Sequence, residues 1–120
     1  MWTTWGTVEE FDYINPHPAI KFARIDKNGN VEHWAAEMAN NPSRLARVGW
    51  TKSRANAALA VGNKVKFYVA TSIAGGHLAY VELIENDKGE FICSEQEKAP
   101  KAEDLDGVPD GYQPPKQDQK

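Results

Sequence analysis

The run Asp26-Lys27-Asn28-Gly29-Asn30 constrains the fold more than any other stretch of the chain. Asn-Gly is a strong hairpin signal, because both residues tolerate the positive φ angles that a turn matching the twist of two strands requires. The sequence on either side alternates with the two-residue period of a strand. Ala19 to Asp26 sets Ile20 and Phe22 against Lys21 and Ala23, and Val31 to Met38 sets Trp34, Ala36 and Met38 against His33, Ala35 and Glu37. Two antiparallel strands with a defined inner side follow from this pattern.

A longer strand precedes them. Trp2 to Ile14 is rich in Thr, Val and aromatic residues, alternates imperfectly and stops at Asn15-Pro16-His17-Pro18, the pattern of a strand with one bulge or bend. After the hairpin, Asn40-Asn41-Pro42-Ser43 supplies cap chemistry and a proline at a first helical position. Ser43 to Val48 then makes a short helix stopped at Gly49. Arg54 to Leu59 is either a further helical turn capped by Thr51 or Ser53, or irregular. Val61-Gly62-Asn63 turns the chain into Lys64 to Thr71, where Val65, Phe67 and Val69 oppose Lys64, Lys66 and Tyr68. Gly75-Gly76 leads into Leu78 to Ile84, and Asn86-Asp87-Lys88-Gly89 into a short edge strand at Glu90 to Ser94. Three strands, a helix and two or three strands is the order of the oligonucleotide/oligosaccharide-binding barrel. An up-and-down barrel needs about eight strands. The expected architecture is therefore mainly β: a small OB-fold-like antiparallel barrel of five to six strands over residues 1–96, with one short helix and an extended tail.

Composition sets the limits on function. The 120 residues suit one core, and 41% apolar with 26% charged residues is ordinary for a globular protein. Fourteen basic against seventeen acidic side chains leave a net charge of −3, which argues against a partner bound through its phosphates, so no nucleic acid is expected. No apolar run approaches the roughly 20 residues of a spanning helix, so no membrane insertion is expected. The one cysteine, Cys93, sits in Phe91-Ile92-Cys93 and reads as a buried thiol. From Glu97 onward the chain turns to Pro, Asp, Glu, Lys and Gln, with Leu105, Val108 and Tyr112 as the few apolar residues; residues 97–120 read as a tail that cannot fold alone. Met1-Trp2-Thr3-Thr4 carries neither a charged nor an apolar leader pattern, so as written the chain is expected to be cytoplasmic or a mature exported form.

Gly6-Thr7-Val8, Asn15-Pro16-His17, Trp34, Glu37, Leu45, Gly49-Trp50-Thr51 and Val61-Gly62-Asn63-Lys64-Val65 occur in an order that resembles a bacterial family of small secreted domains of unknown function. Members read Gly-Thr-Val, Trp-Thr-Asn-Pro-His, a Trp and a Glu on one strand, Arg-x-Gly-Trp-Thr-Arg, then Val-Gly-Asp. The resemblance spans about residues 5 to 92 and implies a periplasmic, mature protein; it brings no activity. The chain departs from the family in lacking its His-His-Ser stretch, so no metal role is expected from that stretch, and in continuing through Lys98 to Lys120.

For chemistry, the residues offer little that is assembled. Ser43, Ser53, Ser72 and Ser94 lie outside any nucleophile-elbow context, no Gly-rich string precedes a helix, and the two Asp/Asn turns lack the spaced oxygens of a calcium loop. His33 and Glu37 share a strand face but stand roughly 13 Å apart, too far to hold one ion together. A metal site would need His17 beside one of them with a third ligand such as Asp12 or His77; His17, His33 and His77 are the weak candidates. The expectation is a noncatalytic binding or accessory module without cofactors that docks to another protein chain, using Asn15, His17, Trp34, Glu37, Arg47, Trp50 and Tyr112. The alternative is a small-ligand or metal-binding protein using the region of His17, Glu37 and Trp50, with Arg44, Arg47, Lys52 and Arg54 gathered near that indole.

Overall fold

The computed structural model describes residues 1–94. Its elements in chain order are β1 (Trp2–Asp12), β2 (Ala19–Ile25), β3 (Val31–Met38), α1 (Pro42–Arg47), α2 (Lys52–Ala58), β4 (Lys64–Thr71), β5 (Leu78–Glu85) and β6 (Phe91–Ile92). The strands lie in the order β3-β2-β1-β4-β5-β6, and an added β3–β5 pairing closes the first five into a barrel. The barrel is mixed, where an antiparallel one was expected. Neighbours cannot alternate in direction all the way round a ring with an odd number of strands. The exception is β3–β5, which runs parallel from Ala35↔Leu78 to Met38↔Val81. The expected tail, 97–120, with Tyr112, lies outside the described residues.

β1 is long enough to serve both halves of the barrel. Trp2 to Thr7 pair with β4 and Thr7 to Asp12 with β2. The expected irregularity is a register shift between Val8 and Glu10, and a second lies where β4 meets β5, with Glu82 as the extra residue between Leu83, opposite Tyr68, and Val81, opposite Val69. Such bulges sharpen the bend that closing a small barrel demands. The inward rows supply the core: Trp2 and Val8; Ile20 and Phe22; Trp34, Ala36 and Met38; Val65, Phe67 and Val69; Ala79, Val81 and Ile84. Phe22 and Phe67 stack at 4.1 Å between centroids. They can do so because Gly6 lies beneath them; a Cβ there would come within 3.0 Å of both rings and of the Ala23 carbonyl oxygen.

Two helices, not one, cover one end. Asn41 caps α1 by accepting from the Arg44 N–H at 2.8 Å, with Pro42 in its first turn. Gly49, at φ 95°, ends it, and Thr51 restarts the chain as α2 by accepting from the Arg54 N–H. Helices this short are marginal alone. Leu45, Ala55 and Leu59 hold them by burying against the barrel. The Tyr13 hydroxyl donates to the Trp50 carbonyl at 2.7 Å and lies 3.0 Å from that of Pro42, while the Trp50 indole N–H donates to the Ser94 carbonyl. Cys93 is buried close by, and burial pushes its thiol up to about 12 despite the opposing pull of Arg54.

Tyr68 keeps its expected side of β4, with Lys64 and Lys66, yet it is buried. It stands opposite Leu83, which the extra residue Glu82 turns to the outer side of the wall, and both are buried there. Burial, and then the bond its hydroxyl donates to Glu85 at 2.7 Å, raise its phenol above the ordinary tyrosine range.

Candidate functional site

The β2–β3 hairpin projects beyond the rest of the wall. β1 follows β2 only as far as Thr7↔Ala23, and β5 joins β3 only at Ala35, so among the described residues no strand lies beside Arg24–Ile25 and Val31–Trp34 on their outer flanks. Side-chain bonds do the work of the missing ladder. Arg24 points inward, buried, after Ile20 and Phe22 on the same side of β2, and pairs across the hairpin with Glu32. Its Nη1 donates to Glu32 Oε1 at 2.6 Å and its Nε to Thr4 Oγ1 on β1 at 3.2 Å, while its guanidinium lies 5.6 Å from the Trp2 ring. Glu32 also accepts from the Trp34 indole N–H at 2.9 Å. His77 lays its ring on Trp34 at 4.8 Å, nearly parallel, and the Trp2 indole N–H donates to Thr71 Oγ1. A polar, aromatic seal therefore closes the barrel end opposite the helices and fastens the hairpin to β1 and β5.

The hairpin and β5 together present an outer face. Cross-strand neighbours fall into rows along it: Ile25 with Val31; Ala23 with His33; Lys21, Ala35 and Leu78; Ala19, Glu37 and Tyr80. β1 extends two rows, with Glu10 opposite Lys21 and Asp12 opposite Ala19. Ile25, Val31, Leu78 and Tyr80 are each about half exposed, while the alanines between them keep the centre low. The β1–β2 loop borders this face at the Glu37 end, where the Pro18 carbonyl accepts from the Met38 N–H. The β4–β5 loop borders it at the other, where the His77 carbonyl accepts from the Ala35 N–H. Both loops expose a large apolar residue, Ile14 in the first and Ile73, fully exposed, in the second.

The expected site residues separate into several places. Glu37 stands on the outer face, exposed, and Asn15 and His17 lie exposed in the loop bordering it. Trp34 is buried in the seal. Trp50 is buried under the helices, with the Arg54 guanidinium 3.8 Å from its ring centroid, and Arg47 is exposed on α1. The three histidines are apart: His33 Nδ1 lies 2.9 Å from both Glu9 carboxylate oxygens, His77 belongs to the seal with Nε2 4.0 Å from Glu32 Oε2, and His17 stays in its loop. Among the described residues no group of three His, Cys, Asp or Glu is placed to hold a metal ion.

Sequence reasoning passed over Arg24, Glu32 and Leu78, and met Tyr80 only as one ring of the chain's aromatic stock. The first two carry a signal: each falls on the inward side of an alternating strand, where a charge must find a partner. Leu78 shows none, because which side of β5 points outward depends on the bulge within that strand at Glu82.

A family model described as a family of unknown function (DUF6152) matches residues 1–78, from β1 to the first residue of β5. No curated protein and no solved structure gives a significant match.

Proposed function

The chain belongs to this family of unknown function, and we propose that it is a noncatalytic binding or accessory module of the periplasm that docks to a partner protein through the outer face of β2, β3 and β5. The observation that carries the reading is where the exposed large apolar side chains lie. Ile25, Val31, Leu78 and Tyr80 stand on this face, and Ile14 and Ile73 in the two loops that border it; Val61, in the turn before β4, is the exception among the described residues. Single exposed apolar residues are ordinary, whereas their collection on one side of a small domain marks an interaction surface. The face also matches where barrels of this architecture bind, on strands 2 and 3 between the loops after strands 1 and 4. Periplasmic placement is supported by the resemblance of the motif order to exported domains.

The test is native mass spectrometry of the full chain released from the periplasm of its producing cells by osmotic shock, as the parent and as a Leu78→Ser/Tyr80→Ser variant. The parent is expected to carry a second polypeptide in fixed stoichiometry and the variant to lose it while keeping the parent's circular dichroism. A chain retained in the cytoplasm contradicts the placement. A partner held equally by the variant contradicts the docking face.

A further inference from the structure

Resting on that docking reading, we infer that the face takes a cationic partner: an extended polypeptide segment whose apolar side chains are flanked by lysine or arginine. Two observations point this way. The first is the charge arranged around the apolar centre. Asp12 and Glu37 stand on either side of Ala19 in one cross-strand row, two strand spacings or about 10 Å apart, with Tyr80 next to Glu37. Glu10 flanks the next row, and Glu9 reaches the face through His33. Against these carboxylates the strands of the face set one lysine, Lys21, whose Nζ is 4.0 Å from Glu10 with both side chains more than half exposed. The second observation is the segregation of charge. α1 and α2, PSRLAR and KSRANAA, carry Arg44, Arg47, Lys52 and Arg54 without a single carboxylate. Of the ten lysines and arginines among the described residues, these four lie on the helices and Lys21 is the one that points outward from the strands of the face.

Magnitudes divide the labour. An exposed ion pair contributes about 0–1 kcal/mol, so the carboxylates cannot supply the affinity; burial of Leu78, Tyr80, Ile25 and Val31 does that. The charges decide which partner is accepted and how fast it arrives. A phosphate backbone or an acidic peptide laid on the same strip would meet Asp12 and Glu37 with no counter-charge on them among the described residues, whereas a lysine or arginine beside Glu37 gains both the carboxylate and the neighbouring Tyr80 ring. The low alanines Ala19, Ala23 and Ala35 leave room for the aliphatic stem of such a side chain to lie along the sheet.

Two synthetic peptides of equal length test this, with the same alternating Val and Leu residues and either Lys or Glu at every intervening position. Each is titrated into the isotopically labelled full chain and followed by amide resonances. The Lys peptide is expected to move the resonances of His33, Ala35, Glu37 and Tyr80 and to bind about tenfold more tightly than the Glu peptide, a preference worth about 1.4 kcal/mol. Added salt is expected to narrow that gap, and the variant Asp12→Lys/Glu37→Lys to reverse it. Equal affinities with shifts on the face would overturn the cationic partner and leave the docking face standing. Binding of neither peptide, or shifts confined to α1 and α2, would overturn the docking face as well.

Discussion

Glu32→Leu is expected to be among the most costly single substitutions in the barrel, because of what it leaves behind. The Arg24 side chain is 1% exposed and Glu32 17%, so at 2.6 Å the guanidinium is out of water and the carboxylate mostly so. Removing the carboxylate takes the 2.6 Å acceptor from a buried guanidinium that keeps the Thr4 hydroxyl and the Trp2 ring among its contacts, and it also takes the acceptor from the Trp34 indole. Breaking one side of a buried pair costs about 3–5 kcal/mol. In a domain of this size each kcal/mol is worth about 4–8 °C of Tm, so the midpoint should fall by about 12 °C or more. Arg24→Met is milder, since Glu32 keeps the Trp34 bond and some contact with water. The double variant Arg24→Met/Glu32→Leu removes both charges and forfeits bonds at Thr4 and Trp34 worth about 1 kcal/mol each. It should therefore be clearly more stable than Glu32→Leu alone. Urea unfolding followed by tryptophan fluorescence measures all four corners of the cycle, with Trp2 and Trp34 reporting from beside the pair. Additive losses, or a Glu32→Leu cost under about 1 kcal/mol, would refute the view that this pair fastens the hairpin.

Two further outcomes follow from the core. Gly6→Ala places a Cβ within 3.0 Å of the Phe22 and Phe67 rings and the Ala23 carbonyl oxygen, and overpacking of this kind costs about 1–3 kcal/mol; an unchanged urea midpoint would contradict the described stack. Cys93, raised from 9.0 to about 12 by burial, holds its proton more tightly folded than unfolded. Its contribution to stability is therefore complete below pH 9.0 and lost as the pH climbs towards 12. The native thiol should resist a disulfide reagent at neutral pH and react once urea unfolds the chain; rapid native labelling would contradict the burial.

Much of the barrel was legible because its signals are local. Asn28-Gly29 bounds β2 and β3, Val61-Gly62-Asn63 bounds β4, and alternation sorts Trp34, Ala36 and Met38 from His33, Ala35 and Glu37. What was not legible depends on contacts distant in sequence. The parallel β3–β5 junction, which brings Leu78 beside Ala35 and Tyr80 beside Glu37, has no signature in either strand and follows from ring closure. Leu83 is turned to the outer side by the bulge at Glu82 and is buried there opposite Tyr68. Of the site, Glu37 and His33 were readable as outward residues, but their apolar neighbours belong to a strand about forty positions away. Trp34 and Trp50 illustrate the opposite limit: an aromatic residue in a motif carries no mark of whether its ring will face solvent or core, and here both rings are buried.

The central claim, that the outer face of β2, β3 and β5 is the working surface, is tested most directly by photo-crosslinking in the producing cells. A photoreactive residue replaces Ala35, at the centre of the face, or Asn56, exposed on α2. The account predicts a discrete crosslinked species from position 35, absent when Leu78→Ser/Tyr80→Ser is added, and none of the same size from position 56. The same species from position 56 with nothing from position 35 would contradict it.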